Sequence, residues 1–508
     1  MVEESVKALQ KKKPAIFEII FGIALKTAEE VFLDSKDNVF VRLKKKYRNW
    51  PQVMNIASQE YSDFLLKVSR ITKRGISWNI INMVIAYLRA EARDRGIRYD
   101  LNLRSYFDQD ILWYDLGEWK AIKIASDHWE IVSYPPPMFM PIMGKREKQC
   151  LPSLDHSKEG DSHTGYLDRF IGAWGLDDSD RLLVKVFLIT SFLPHIIHPI
   201  LILHGPHESG KTFLLKYLKS LVDPMVEDMI AGEVTYSSVI STIAHHYCVC
   251  IDNLNFVPRW LCDLLCAAVT GASHIERKYY HNTGDDSVSF SMQRKFIISC
   301  INMNQTRSDF LSRCLFVNIK TIAPSERLRE DLMDKWFFEL KPFILNNIFT
   351  LISQAIPLVG KLQLERLPRM AAFASWGESL ARIMGHQEGV LIEYLFDQIT
   401  RIRQTTLEES PLAQLLLLAL QETNPLVGTA SNLLYKLNEL AKKNNIPKNL
   451  LPKNNGWLVK QLKELRHDFN ECGISFEQAR NRSGRILTIR LKNMDETQNK
   501  GDKLYPEI

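Results

Sequence analysis

The chain lacks the features that define several protein classes. Only 23 glycines and 21 prolines occur in 508 residues, which excludes collagen-like and low-complexity chains. Eight cysteines, at 150, 248, 250, 262, 266, 300, 314 and 472, form no CxxC pair. Most lie in apolar runs, where a free thiol behaves as a small hydrophobe, so a reduced cytoplasmic setting is expected rather than a disulfide scaffold. The longest apolar stretches, Ile16–Leu25, Leu182–Leu193 and Leu412–Leu420, are broken by Glu18, Lys185 and Gln414. All are shorter than the roughly 20 apolar residues a bilayer needs. Met1 to Pro14 are charged, and no signal-peptide pattern follows them. No internal repeat is found. No Ser/His/Asp set suggests a nucleophile. His245-His246, the Cys262/Cys266 pair and the Asp177/Asp178/Asp180 group have no partners at metal-ligand or catalytic spacing.

Net charge is only +6, but it is unevenly spread. Residues 431–492 hold 13 Lys/Arg against 5 Asp/Glu. That surplus exceeds the whole chain's. It is the footprint of a nucleic-acid-binding module or of a solvated basic surface.

At about 150 residues per domain the length suits roughly three domains, and the pattern divides accordingly. Residues 1–145 read as a mixed α/β domain behind a charged arm. It has a hairpin around Asp34–Asn38, helices around Trp50–Val68 and Trp78–Arg93, and strands at Ile111–Tyr114, Trp119–Ile124 and Trp129–Val132. Residues 146–165 are a polar linker. Across 166–325, buried strands at Ile200–Leu203, Tyr247–Ile251, Phe296–Ile301 and Leu315–Ile319 alternate with helices, as in an α/β fold with a mostly parallel sheet. Residues 326–420 read as helical, 425–492 as two helices followed by two strands, and 493–508 as a polar tail.

One motif is sharp. Gly205, Pro206, His207, Glu208, Ser209, Gly210, Lys211 and Thr212 spell GxxxxGK[ST] between a strand and a helix. The glycines let successive N–H groups converge, and the helix N-terminus adds positive potential, so the loop suits phosphate oxygens. Lys211 is placed for β- and γ-phosphates and Thr212 for Mg²⁺; the cofactors expected are ATP and Mg²⁺. An acidic partner is expected at a strand tip. Asp252 follows the apolar run Tyr247–Ile251 and fits, either as a metal-site carboxylate or as an ordinary turn residue. Asn253 stands after it. An amide orients water but cannot accept its proton, so hydrolysis is less firmly marked than binding.

The stretch Leu201–Ile322 resembles the superfamily 3 branch of AAA+ ATPases, as found in phage and plasmid primase-helicases and in phage/plasmid-associated ATP-binding proteins. The resemblance rests on the phosphate loop, Asp252-Asn253-Leu254, Trp260-Leu261, Thr270-Gly271 and Arg277-Lys278-Tyr279-Tyr280. It extends through Arg369-Met370, Phe373 and Trp376-Gly377-Glu378. No primase motif accompanies it. The resemblance implies a polar γ-phosphate sensor on the strand Phe296–Ile301, at Ser299 or Asn302. It implies an arginine finger at Arg313 reaching a neighbouring subunit's nucleotide, or else a surface arginine ending a helix. It suggests a weaker second sensor at Arg369. It implies a hairpin over Glu276–Phe290 whose Arg277, Lys278, Tyr280 and His281 grip DNA in a hexamer's channel, or an ordinary surface hairpin.

At the basic end, Leu426–Lys442 and Trp457–Phe469 read as helices, and Ile474–Ala479 and Ile486–Leu491 as a hairpin. Lys460, Lys463 and Arg466 face outward from the second helix. Arg480, Arg482 and Arg485 sit at the hairpin tip. This pattern looks like a winged helix, which binds duplex DNA or, in other cases, protein.

The expectation is therefore a P-loop AAA+ type parallel-sheet ATPase core with a helical lid, an N-terminal mixed α/β domain and a C-terminal winged helix. It would work as an ATP-dependent DNA helicase, a homo-hexamer serving replication of a mobile element. The alternatives are an initiator or loader that does not unwind DNA, and a regulatory NTPase with a protein-binding winged helix.

Overall fold

The computed structural model describes residues 15–35, 37–72, 75–140, 147–153, 164–226, 229–271, 273–277, 287–301, 308–322, 325, 327, 329–364, 366, 368–398, 411–444, 446–447, 451–464, 469, 474–481 and 484–491. Two compact units emerge. The first comprises Met1–Asn253, Ala267–Ser299 and Val317–Leu391, and the second Leu254–Cys266, Cys300–Phe316 and Ile392–Ile508.

The first unit begins with helix α1 (Ile16–Thr27) and a sheet of β1 (Ala28–Leu33), β2 (Val39–Leu43) and β3 (Val53–Asn55), in that order and antiparallel. The β1–β2 turn is held by Asp34, whose carboxylate accepts the Asn38 backbone N–H at 2.8 Å. Helix α2 (Gln59–Ser69) starts where Ser58 Oγ accepts the Tyr61 N–H at 3.2 Å. The helical pattern expected from Trp50 onward is therefore interrupted. Pro51 starts an extended stretch, β3 occupies Val53–Asn55, and turn chemistry at Asn55 and Ser58 delays the helix to Gln59. Helix α3 (Trp78–Arg95) ends at Gly96 in the left-handed region. A four-stranded antiparallel meander follows: β4 (Ser105–Asp108), β5 (Ile111–Gly117), β6 (Lys120–Ala125) and β7 (His128–Ser133). β4 is only four residues long, and its sequence does not stand out as a strand.

Helices α4 (Gly165–Gly172) and α5 (Asp178–Thr190) lead to β8 (Ile200–His204), the phosphate-loop segment and α6 (Lys211–Val222). Next come α7 (Tyr236–His245), β9 (Cys248–Leu254), α8 (Arg259–Val269), the antiparallel pair β10 (Ser273–Arg277) and β11 (Ser287–Ser291), β12 (Lys295–Cys300), a one-turn helix α9 (Ser308–Leu311) and β13 (Cys314–Asn318). The central sheet runs β13–β8–β12–β9, and Ile230 adds a parallel bridge to Ile251. Helices intervene between β8 and its neighbours in the chain, so their connections are crossovers rather than hairpins. β8, β9 and β12 are buried nearly throughout, as expected of apolar runs inside a doubly covered sheet.

Helix α10 (Glu330–Val359) is the one helix among the described residues long and apolar enough to cross a membrane by length and composition, yet 56 % of its apolar window is buried inside the protein. It stacks Phe343 on Tyr166 of α4, and its Thr350 hydroxyl accepts from Trp129 Nε1 of β7 at 3.2 Å. Helix α11 (Ala371–Ile383) packs beside it.

In the second unit, α12 (Pro411–Glu422), α13 (Ala430–Lys443) and α14 (Asn455–Glu464) pack on an antiparallel sheet ordered β14 (Leu426–Thr429), β16 (Gly484–Leu491), β15 (Ile474–Asn481). Leu416, Leu433, Leu437, Leu458, Leu462, Phe476 and Ile489 share its core. The expected helix from Leu426 thus starts four residues late. Leu426–Thr429 pairs with β16 instead, and Thr429 caps α13 by accepting the Asn432 N–H at 3.3 Å.

Candidate functional site

At the end of α6 opposite the phosphate loop lies a buried ionic anchor. Asp223, just after α6, accepts from Lys219 Nζ at 2.9 Å and Arg104 Nε at 3.2 Å, and from the backbone N–H groups of Tyr247 and Cys248 at 2.8 and 3.1 Å. Arg104 is fully buried and also donates to the carbonyls of Asp115, Glu147 and Pro224. The N-terminal meander, the far end of α6 and the start of β9 are thereby tied together.

The loop itself requires its glycines. A Cβ on Gly205 would lie 2.4 Å from the Ile319 carbonyl oxygen, so no other residue fits without displacing backbone. Gly210 has φ +82° and is the left-handed N-cap of α6. The ring of Trp174, 1 % exposed, lies under Gly210, and its Nε1 has no hydrogen-bond partner among the described residues. Glu208 is also left-handed, at φ +63°, a strained setting for that side chain. The Arg327 guanidinium is 2.6 Å from its carboxylate. Lys211 is 8 % exposed and turned into the loop, donating to the Gly205 carbonyl at 2.9 Å and to Ser209 Oγ at 3.2 Å. His207 and Pro206 are exposed on the loop's crest.

Opposite stands Asp252, 6 % exposed at the tip of β9. Its Oδ2 accepts from Thr212 Oγ1 at 2.9 Å, and its Oδ1 accepts from Ser299 Oγ. Ser299 Oγ in turn accepts the Asn253 backbone N–H at 2.8 Å. The strand order accounts for this triangle. β12 lies between β8 and β9, so Ser299 on β12 sits directly beside the Asp252 tip. Of the two sensor positions left open by sequence, Ser299 belongs to the site, whereas Asn302 lies outside the described residues. Asn253 has φ +58° and an exposed side chain. That backbone favours Asn several-fold over Glu, which gives a local reason for an amide at this position.

The donor set suits a nucleotide with a hard divalent cation. The cradle presents backbone N–H groups at a helix N-terminus, while Thr212 and Asp252 offer oxygen. Among the described residues no group of three or more His, Cys, Asp or Glu is placed to hold a metal by itself. Magnesium bound mainly through phosphates needs only one or two protein oxygens.

Other residues singled out by sequence are placed as follows. Arg313 follows α9. It is half-buried, Nη1 donates to the Asp309 carbonyl at 2.6 Å, and Nε has no partner among the described residues. Arg369 is exposed on the turn before α11. The expected hairpin exists as β10 and β11, paired from Ser273↔Ser291 to Arg277↔Ser287. Lys278, Tyr280 and His281 fall outside the described residues, as does the Arg277 side chain. Lys460 and Lys463 are exposed on α14, and Arg480 and Arg485 face each other in register at the open end of the β15–β16 pair, both exposed. Arg466 and Arg482 fall outside the described residues. Trp174 and Arg327 were not legible as site residues, since neither belongs to the motif and only folding brings them to the loop.

Residues 174–388 match the family described as the actinomycete integrative conjugative element replication protein, and residues 412–500 match the C-terminal domain of the same RepA proteins. Together the two matches cover more than half of the chain, in that order. The two matches support a replication protein of a mobile element, of the integrative conjugative element RepA kind. No curated protein matches it. Among solved structures it is similar to the A form apo structure of the NrS-1 C-terminal region, at 11 % identity and a TM-score of 0.39, over 93 % of this chain and 99 % of that one. A second apo structure of that region gives 11 % identity and a TM-score of 0.37, over 95 % and 100 %.

Proposed function

We propose that this replication protein is an ATP- and Mg²⁺-dependent DNA motor of the superfamily 3 AAA+ type, acting in the cytoplasm as a homo-hexamer. One observation supports the reading above the others: the Thr212 hydroxyl and the Asp252 carboxylate meet at 2.9 Å beside the glycine-bent loop that encloses Lys211. In this reading the loop amides and Lys211 hold the triphosphate, and Thr212 and Asp252 hold Mg²⁺, which neutralises phosphate charge when bound. Lys211 exchanges its loop-carbonyl partners for phosphate oxygens. Ser299 occupies one oxygen of Asp252 and leaves the other turned toward Thr212. Asn253 orients the attacking water. Arg313 swings from its own turn to the next subunit's nucleotide, where a cation stabilises developing charge. The β10–β11 hairpin follows one DNA strand, and the C-terminal module, read as a winged helix, docks on duplex through Lys460, Lys463, Arg466 and the Arg480–Arg485 tip.

Three measurements test this reading: phosphate release with and without single-stranded DNA, strand displacement, and particle mass with ATP and DNA present. Stimulated turnover, unwinding and a ring are expected. Absence of triphosphate uptake by the purified chain would remove the reading altogether. Asn253 favours a second reading, an ATP-binding initiator that assembles on origin DNA without unwinding it. That protein would show uptake and assembly but no strand displacement.

A further inference from the structure

The run Lys44-Lys45-Lys46-Tyr47-Arg48 in the N-terminal domain belongs to neither the phosphate loop nor the C-terminal module. It follows β2 as a tight 3-10 turn over Lys45–Tyr47. Lys44, Lys45, Lys46 and Arg48 are all exposed, and none of the four has a carboxylate partner among the described residues. Arg42, two residues earlier, takes the nearby Glu29 carboxylate for itself at 3.6 Å. Lys44 Nζ reaches back to the Lys26 carbonyl at 2.9 Å, which sets the turn against the C-terminus of α1 and brings the exposed Lys26 beside it.

A merely solvated charge run needs no foundation, but this one has an aromatic base. Lys45 lies 4.6 Å over the Tyr134 ring, Lys46 lies 5.0 Å over Tyr47, and Lys67 of α2 lies 5.4 Å over Trp50. The rings are anchored from below. Tyr47 and Trp50 both pack edge-on to the buried Phe64, at 5.6 and 5.4 Å, and Tyr134 packs on the buried Trp119 at 5.1 Å. Trp119 Nε1 donates to the Trp50 carbonyl, closing the arrangement. Cation–π contacts of this kind hold long side chains in place while leaving their charge outward. Part of the ordering cost of binding an anion is thereby met before the partner arrives.

We infer that this knuckle is a further nucleic-acid contact, one that grips backbone phosphates without reading bases. It rests on the DNA-binding reading given above and adds to it a surface in the N-terminal domain. The rings face inward under the cations, and among the described residues of this run no large apolar side chain is exposed beside the charge. That arrangement suits a phosphodiester backbone and not a bilayer interface, which would take an apolar face as well.

The test uses the full chain with residues 45, 46 and 48 neutralised together (K45Q/K46Q/R48Q), leaving Lys44 to its structural bond. Binding to two unrelated duplexes is followed by fluorescence anisotropy between 50 and 200 mM KCl. Each lost phosphate contact lowers the slope of log K on log salt by about 0.9, so a fall of roughly 2 to 3 is expected, equal for both sequences. ATP uptake stays at the wild-type level. K45R/K46R/R48K restores the slope. Should the triple variant fold poorly, K46Q and R48Q separately each lower the slope by about 0.9. An unchanged slope in a wild type that does bind DNA overturns the knuckle alone. A wild type that binds neither duplex overturns the DNA reading with it. Loss of binding to phosphatidylserine vesicles with unchanged DNA binding assigns the surface to membranes and likewise overturns the proposal.

Discussion

Thr212 and Asp252 stand 40 positions apart in the chain and 2.9 Å apart in space, hydroxyl to carboxylate. The contact joins the first turn of α6 to the tip of β9, and it exists because β12 lies between their two strands and sets the spacing. Asp252→Asn keeps the shape and removes the charge. Triphosphate binding is expected to stay within a few-fold of wild type, while turnover falls about 100-fold or more, as when a transition-state charge partner is lost. Lys211→Ala is expected to abolish uptake itself. Calorimetry and phosphate-release rates separate the two effects. Full turnover in Asp252→Asn would show that the carboxylate is structural.

Gly205→Ala probes the loop from the other side. The added methyl meets the Ile319 carbonyl oxygen at 2.4 Å, and backbone cannot yield as a side-chain end can. Loss of nucleotide binding is expected together with a lower melting temperature. Ser209→Ala, which removes only one acceptor of the Lys211 ammonium, is expected to melt near wild type and bind more weakly by a few-fold. Equal behaviour of the two variants would show that the loop tolerates backbone displacement.

How much of this was legible in the sequence depends on how local each signal is. The phosphate loop and Asp252 are written in short motifs with apolar strands beside them, and they sit together as the motif implies. That Ser299 stands beside Asp252 follows only from strand order, which no short window carries. Trp174 and Arg327 lie outside the motif and meet Gly210 and Glu208 only in the folded chain, so their role is purely tertiary. The same limit explains Leu426–Thr429. Its Leu-Val pattern fits a helix start as well as an edge strand, and only the register with Thr488 and Ile489 decides between them. β3 failed for the opposite reason: three residues are too few for any periodicity to show.

Arg327 and Glu208 form an exposed pair at 2.6 Å on the loop's crest. Exposed pairs contribute about 0–1 kcal/mol, so Arg327→Ala is expected to leave the urea midpoint almost unmoved. The guanidinium is the nearest described cation to Glu208, and its loss leaves an unopposed carboxylate beside incoming phosphates. ATP affinity is therefore expected to drop several-fold, and Arg327→Ala/Glu208→Ala together to recover most of it. A double variant no better than the single one would mean that Arg327 touches the nucleotide directly.

Asp223 serves two buried cations at once, Lys219 and Arg104. Asp223→Ala removes the carboxylate that both of them bond in the interior. Breaking a buried pair from one side costs about 3–5 kcal/mol, a large share of a domain's stability. Urea denaturation of Asp223→Ala is expected to show a loss of that size, or the protein fails to accumulate in soluble form. Arg104→Met/Asp223→Leu/Lys219→Met is expected to be less destabilised than Asp223→Ala, because it removes charge and counter-charge together. A near-neutral Asp223→Ala would mean that water reaches the site.

Lys295 opens the strand that carries Ser299, and its ammonium is buried with one carbonyl partner, Leu193, at 2.7 Å. Burial lowers its pKa from the ordinary 10.5 to about 7. Between these two values the unfolded chain holds a proton that the folded chain has released, so stability rises with pH across that window. Below pH 7 both forms are protonated and the contribution is flat. Lys295→Met removes the titrating group and keeps much of the side-chain volume. Urea midpoints at pH 7, 8 and 9 are expected to climb more steeply for wild type than for Lys295→Met. Parallel profiles would mean that the lysine keeps its charge in the folded state throughout, and that the interior around β12 is wetter than its packing implies.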